Sequence, residues 1–281
     1  MTTERKSGER KITAFLGNPD RPDIGNAIHS TDGAKEYGYQ AALVGGATVW
    51  GWASPAILDA LGTGWLDHGW VEIAFRRPTY PGDELTIAVT PEADHWLLRI
   101  TGQDGHDRIS GELGLGDAPW LGELTKTPFR PAEPEMKLHP TLLPEIAPVG
   151  RQLAPLGGSE GIRGAEEFVR THQEADHALF RGPNARLHPA WVAARPIRVL
   201  HHSYDYGPAI HAKSHIQWLA PAVGTPDIVT TATFHETYER KGHHYGIFDC
   251  STYDGASREL IRQRHTTVFA VAKRGSADAH Q

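Results

Sequence analysis

NAIHSTDGAKEYGYQAALVGGATVWGWASPAILDAL, residues Asn26 to Leu61, is the stretch on which the fold turns. It opens on a polar loop offering a histidine, His29, reaches the glycine pair Gly45-Gly46, and runs into an apolar segment. Val49, Ala53, Ile57 and Leu61 recur every four residues, and Trp50 and Leu58 widen the stripe. That period predicts a helix starting near Gly46. Pro55 has no N–H to offer such a helix, so a kink or break is expected there. Gly62 and Gly64 end it. The order brings a titratable side chain close to the backbone N–H groups that open a helix. Those unpaired donors, with the positive end of the helix dipole, suit an oxygen that gains negative charge.

Outward from this stretch the pattern changes period. Four strand-like runs follow: Trp70 to Phe75, Glu84 to Thr90, His95 to Thr101 and Asp107 to Leu115, separated by Pro-, Gly- and Asp-bearing turns. Leu85, Ile87 and Val89 alternate with Thr86, Ala88 and Thr90, as a sheet with one covered face requires. A helix followed by an antiparallel meander is an α+β pattern, not an alternating βαβ one. Prolines crowd the segment from Pro128 to Pro148, which reads as a linker or crossover over the surface. The second half then repeats the order. A polar, His-bearing segment (Glu160 to Phe180) precedes a helix-like run, His188 to His202, which Pro196 is expected to interrupt. Strand-like runs follow at 209–219, 227–239, 243–253 and 259–271. Two similar units are expected, residues 1–127 and 160–281, joined by a Pro-rich linker at 128–159.

Bulk properties narrow the function classes. The chain has 281 residues, 39% apolar and 22% charged, enough for a sizeable core. A net charge of −6 gives no basic footprint for nucleic acid. The single cysteine, Cys250, excludes an intrachain disulfide framework and fits a reducing compartment. No apolar run approaches the roughly 18 residues needed to span a bilayer. The charged N-terminus, MTTERKSGERK, lacks the apolar core of a secretory signal and is expected to be a loose leader. The expectation is a soluble, cytoplasmic protein with no nucleic-acid or membrane partner.

A long helix wrapped by an antiparallel sheet, twice over, is the layout of a tandem (double) hotdog. The run NAIHSTDGAKEYGYQAALVGGATVWGW resembles the hydratase motif of the MaoC-like acyl dehydratases, or (R)-specific enoyl-CoA hydratases. The turn FRRPTYPGDEL (Phe75 to Leu85) is similar to that family's F-x-x-P-x-x-x-G-D turn. Together these cover roughly residues 20 to 115, and the second half resembles a hotdog in layout alone. The resemblance implies a hydro-lyase acting on an enoyl or 3-hydroxyacyl thioester, linked to coenzyme A or a carrier protein. It implies no cofactor and fits a homodimer. His29 occupies the motif's His position and Asn26 its Asn position, while the amide near Gly45-Gly46 is implied to hold the thioester carbonyl. Two positions depart: Ile24 stands where the motif has Asp, and Ala27 where it has Pro. Asp23 and Asp32 are the nearest carboxylates, neither in register. Either the loop shifts so that one of them reaches His29, or the other half supplies the acid, or the chemistry differs.

The residues support this logic on their own terms. A histidine near its free pKa beside a carboxylate can take a proton from water at neutral pH. The bland alternative for His29 is a loop histidine capping a turn, and for the glycine pair a plain helix-start spacer. The 17 histidines invite a metal site. His211 and His215, however, sit in a strand pattern that separates them by about 13 Å, too far to share one ion. Asp176 and His177 form a possible second acid–base pair in the second unit, without the motif around them. Arg76 and Arg77 suit coenzyme A phosphates, or simply a solvated strand end. Cys250 is expected to be a buried strand residue, and no nucleophile elbow or phosphate-cradling loop is present. The rival readings are a hotdog thioesterase, a non-catalytic acyl-binding module and a divergent lyase acting on a substrate without coenzyme A.

Overall fold

The computed structural model describes residues 5–21, 25–158, 161–173 and 177–272. Ten strands form one sheet: β1 (Gly8–Thr13), β2 (Gly69–Phe75), β3 (Glu84–Pro91), β4 (Trp96–Gly102), β5 (Asp107–Leu115), β6 (Leu156–Gly157), β7 (Ile210–Trp218), β8 (Val229–Arg240), β9 (His243–Tyr253) and β10 (Glu259–Ala270). Their order is β1-β3-β4-β5-β2-β7-β10-β9-β8-β6, and every neighbouring pair is antiparallel. From the centre outward both halves read alike. The first long strand lies innermost, then the fourth, third and second, and a short strand that precedes the half's main helix closes the edge. The halves meet where β2 pairs with β7, from Trp70↔Gln217 to Ala74↔Lys213. This is the double hotdog layout.

Alternation decides which face is covered. In β3, Leu85, Ile87 and Val89 are buried while Glu84 and Thr86 are exposed. The expected helix is present in two pieces, α2 (Gly46–Gly51) and α3 (Ser54–Leu61), after a short α1 (Thr31–Glu36). The break falls at Trp52 and Ala53, so Pro55 sits in the first turn of α3, where a missing N–H removes no helical bond. A one-turn α4 (Trp65–His68) follows, and Trp65 packs its ring 4.5 Å from Trp218 and 6.3 Å from Trp50. The second half supplies α5 (Gly161–Phe168), which runs on into a π-type turn at Val169–Gln173, and α6 (Pro189–His201).

Two sequence expectations are corrected. Pro196 does not interrupt α6, which is continuous through it. The carbonyl of Val192, which a residue 196 N–H would have bonded, accepts instead from Gln263 Nε2 of β10 at 3.3 Å. The N-terminal leader is not loose from Gly8 onward. It forms edge strand β1, paired with β3 from Gly8↔Val89 to Thr13↔Glu84. Its solvated Glu9, Arg10 and Lys11 hide it from a hydrophobic-period reading, as charged edge strands do. The Pro-rich segment is surface-lying but anchored. Leu142 and Leu153 are buried among Phe234, Phe248 and Phe269, and the Leu153 N–H donates to the Ala232 carbonyl at 2.9 Å. Cys250 is buried in β9, as its strand context implied. Among the described residues no helix is long and apolar enough to cross a membrane.

The two halves also touch through their helices. A Cβ on Gly51 of α2 would lie 2.4 Å from Ala190 Cβ of α6 and 2.5 Å from the Gln173 side-chain oxygen. Ala190 Cβ cannot swing away, so Gly51→Ala is expected to destabilise the fold by about 1–3 kcal/mol through overpacking. Denaturant unfolding checks this: the midpoint should fall with an unchanged slope. A midpoint equal to the unsubstituted protein's would show that the crossing relaxes at no cost.

Candidate active site

His29 is placed by backbone, not by side-chain luck. Residues Ala27–His29 make one 3-10 turn, the Leu43 N–H donates to the Ile28 carbonyl at 2.8 Å, and the Val44 N–H donates to the Thr79 carbonyl at 2.9 Å. The loop is thereby pinned to the chain that leads into α2. His29 Nδ1–H donates to the Leu43 carbonyl at 2.8 Å. A carbonyl can only accept, so the proton of the neutral ring is on Nδ1 and Nε2 carries a lone pair. Burial pushes the His29 pKa down, against a smaller upward pull from that hydrogen bond. The ring is neutral at neutral pH, with a free basic nitrogen.

Asn26 crosses to the other half. Its Nδ2 donates to the Ala209 carbonyl at 3.0 Å and lies 3.5 Å from His29 Nε2. Its Oδ1 is buried and has no hydrogen-bond partner among the described residues. Gly45 is the N-cap of α2 and offers no side-chain oxygen, which leaves the first amides of that turn without a capping partner. A Cβ on Gly45 would meet His29 Cε1 at 3.8 Å. One on Gly46 would meet Phe75 Cε1 at 2.8 Å and His211 Cβ at 3.4 Å. The glycine pair therefore lies between a histidine of the first half and one of the second, so close that Gly46 has no room for a side chain.

These residues line a cavity of about 520 Å³ built from both halves. Asn26, His29, Gly45, Gly46 and Arg77 all line it. Asp32 does not: it is exposed in the first turn of α1, and the structure does not bring it to His29. Asp23 lies outside the described residues. So does Asp176 of the second-unit pair, whose His177 uses Nδ1 to accept from the Leu179 N–H at 3.2 Å and so caps a turn. Arg76 donates through Nε to Ser110 Oγ at 2.8 Å, while Arg77 is exposed with its guanidinium unpaired among the described residues. Among the described lining residues there is no Asp or Glu, but there are six histidines: His29, His172, His201, His211, His243 and His265.

Sequence reasoning missed His211, Ser214 and His265. His211 and Ser214 are three apart on β7, and strand parity puts such residues on opposite faces. The structure carries a bulge there: Thr266 pairs with Lys213 and Thr267 with His211, so Ala212 faces no partner. The extra residue returns His211 and Ser214 to one face, with His211 Nε2 2.7 Å from Ser214 Oγ. Ser214 pairs across the ladder with His265. No residue type in either strand announces the bulge, so only the pairing reveals the cluster.

No protein-family model matches the chain, and no curated protein matches it in sequence. Solved structures match its fold. A conserved hypothetical protein from Mycobacterium tuberculosis, with a double hotdog fold, superposes at a TM-score of 0.59 and 12% identity, covering 95% of this chain and 96% of that one. A structure from Chloroflexus aurantiacus described as a MaoC domain protein dehydratase gives 0.58 and 10%, covering 96% of each. A Lactobacillus plantarum protein described as an oleoyl thioesterase gives 0.50 and 11%, covering 95% and 97%. The chain is a double hotdog similar in architecture to both enzyme types.

The buried histidines make the fold acid-sensitive. Burial drives His188 and His265 from 6.5 to about 3, and His188 Nδ1 must stay unprotonated to accept from the Ala190 N–H at 3.1 Å and cap α6. Their neutral forms favour the fold, while below pH ~6.5 the unfolded chain gains protons that the native state refuses. Stability is thus expected to be full above about pH 6.5 and to fall toward pH 3, by at most about 1.4 kcal/mol per pH unit per histidine. Denaturation midpoints measured across that range check it. His188→Asn, which retains a capping oxygen, should make the acid slope shallower.

Proposed function

We propose that the protein is a hydro-lyase acting on an enoyl or 3-hydroxyacyl thioester, with an acyl-coenzyme A as the substrate form. The observation that carries this reading is His29, a neutral imidazole whose Nδ1–H is tied to the Leu43 carbonyl and whose Cε1 lies beside Gly45 at the head of α2, in the same cavity. In the hydration direction, Nε2 takes a proton from water as the oxygen bonds to C3 of the enoyl group. The electron pair moves to the thioester oxygen, where the first amides of α2 meet the growing charge. The proton taken up by His29 Nε2 is then delivered to C2, which returns the ring to its neutral form, and dehydration is the reverse. Asn26, fixed by Ala209 and beside His29 Nε2, suits positioning of the water.

Asp32 is exposed outside the cavity, so of the two carboxylates nearest to His29 in sequence Asp23 is the one we propose as the acid. Arg77, with Arg76 beside it, suits the phosphates of the coenzyme handle. The architecture is shared with proteins described as dehydratases and as a thioesterase, so the assay must read both outcomes. Turnover of short and branched enoyl-CoAs is followed by loss of the conjugated chromophore, with thiol release measured in parallel. His29→Gln should lower kcat by about 10²–10⁴-fold, the usual worth of a general base, with thermal melting unchanged. Asp23→Asn should fall in the same direction. Unchanged turnover in His29→Gln removes that residue from the mechanism. Thiol release without water addition replaces the hydro-lyase reading with a hydrolase.

A further inference from the structure

In the cavity wall, three side chains of the second half form a connected polar cluster that the proposed mechanism leaves unused. His211 Nε2 lies 2.7 Å from Ser214 Oγ, and the same oxygen lies 3.3 Å from His265 Nδ1. The His211 ring is held between Phe75 and His265, with centroids 4.0 and 4.1 Å away. Ser214 and His265 are fully enclosed, and His265 Nε2 has no partner among the described residues. His211 lines the cavity, its Cβ 3.4 Å from where a Cβ on Gly46 would stand.

Ser214 has one hydroxyl proton and two ring partners; if both rings donated to it, that buried proton would be left without an acceptor, so the network has two senses. In one, Ser214 donates to His265 Nδ1, and His265 must keep its proton on Nε2, as a buried N–H with no acceptor. In the other, His265 Nδ1–H donates to Ser214 Oγ and Ser214 donates to His211 Nε2. This second sense leaves only a bare lone pair unpaired on His265. An orphaned buried N–H is the rarer and costlier of the two. The second sense therefore prevails, and it places the proton of neutral His211 on Nδ1, the nitrogen left over for the cavity. Burial and the neighbouring His265 both push His211 well below the usual imidazole range, which keeps it uncharged.

We propose that His211 is a second catalytic residue of this site: its Nδ1–H donates a hydrogen bond to the thioester carbonyl oxygen and holds the negative charge that builds there. This rests on the thioester reading above. A neutral imidazole acts here as an electrophile and transfers no proton, so no imidazolate forms and no further acid is needed. Ser214 and His265 are positioning residues that fix the tautomer. The two halves then divide the work, His29 serving the water and His211 the carbonyl, on either side of Gly45-Gly46.

The test uses three variants and two readouts. His211→Phe keeps a ring between Phe75 and His265 without a donor, His211→Asn returns an N–H close to the Nδ1 position, and Ser214→Ala releases the tautomer. The first readout is the infrared frequency of the carbonyl in bound, ¹³C-labelled butanoyl-CoA, which cannot be hydrated. It should be lowered in the unsubstituted protein, return toward the free value in His211→Phe and Ser214→Ala, and be lowered again in His211→Asn. The second is hydration of crotonyl-CoA. Loss of one such donor should reduce kcat by about 10²–10³-fold with KM little changed, again recovered in part by Asn.

Equal frequency and turnover in His211→Phe and the unsubstituted protein would overturn the proposal. So would equal losses in Phe and Asn, which mark a structural role, or no carbonyl shift at saturating butanoyl-CoA. A His211-dependent shift without any hydration sinks the hydro-lyase reading and leaves His211 standing. Hydration that needs His29 but not His211 does the opposite.

Discussion

The crossing of α2 over the second half is the contact on which the site depends. Gly51 and Ala190 approach so closely that a single methyl at residue 51 has no space. Three further bonds hold α2 in place: Trp50 Nε1 to the Pro189 carbonyl, Trp52 Nε1 to the His172 carbonyl, and Gln173 Nε2 to the Thr48 carbonyl. Each joins one half to the other and satisfies a polar group that burial would otherwise strand. With α2 fixed this way, Gly46 falls beside His211, and the first-half loop reaches Ala209 through Asn26. The continuous ladder between β2 and β7 sets the same relationship from the sheet side. The cavity is therefore a product of the junction and belongs to neither half alone.

Burial then decides the chemistry available there. The titratable lining is mostly imidazole, and the low-dielectric setting drives the shifted rings, His29, His172, His201, His211 and His265, toward neutrality. A neutral histidine both donates and accepts, and which nitrogen does which is set by its fixed neighbour. For His29 that neighbour is a backbone carbonyl, which makes the free nitrogen a base. For His211 it is a serine hydroxyl, which leaves the free nitrogen a donor. One residue type can thus present an acceptor at one position and a donor at the other through second contacts alone.

Much of the fold could be read along the chain. Strand β9, expected at 243–253, forms over His243–Tyr253, because turn residues bound a run rich in aromatic and β-branched side chains. The glycine pair, the helix after it and the histidine before it were equally legible, since each depends on local chemistry. Edge strand β1 was not, because its exposed charges carry no period. The continuity of α6 was not, because it relies on Gln263, in a strand and 71 residues after Val192, to relieve the Val192 carbonyl. Proximity in sequence also misled for Asp32: α1 turns it outward to solvent, although it lies only three residues from His29.

What the sequence determined by itself was therefore the alphabet of elements and one half of the site. Periodicity, prolines and glycines set helices and strands through interactions spanning a few residues, and the His29 loop came with them. The tertiary structure alone decided that a second histidine faces the first across Gly45-Gly46. That outcome needs a bulge at Ala212 to bring His211 and Ser214 to one face, and a ladder partner, His265, 51 residues further on. Neither the unpaired residue nor the pairing leaves a mark in local composition, because both arise from register between strands that are distant in the chain.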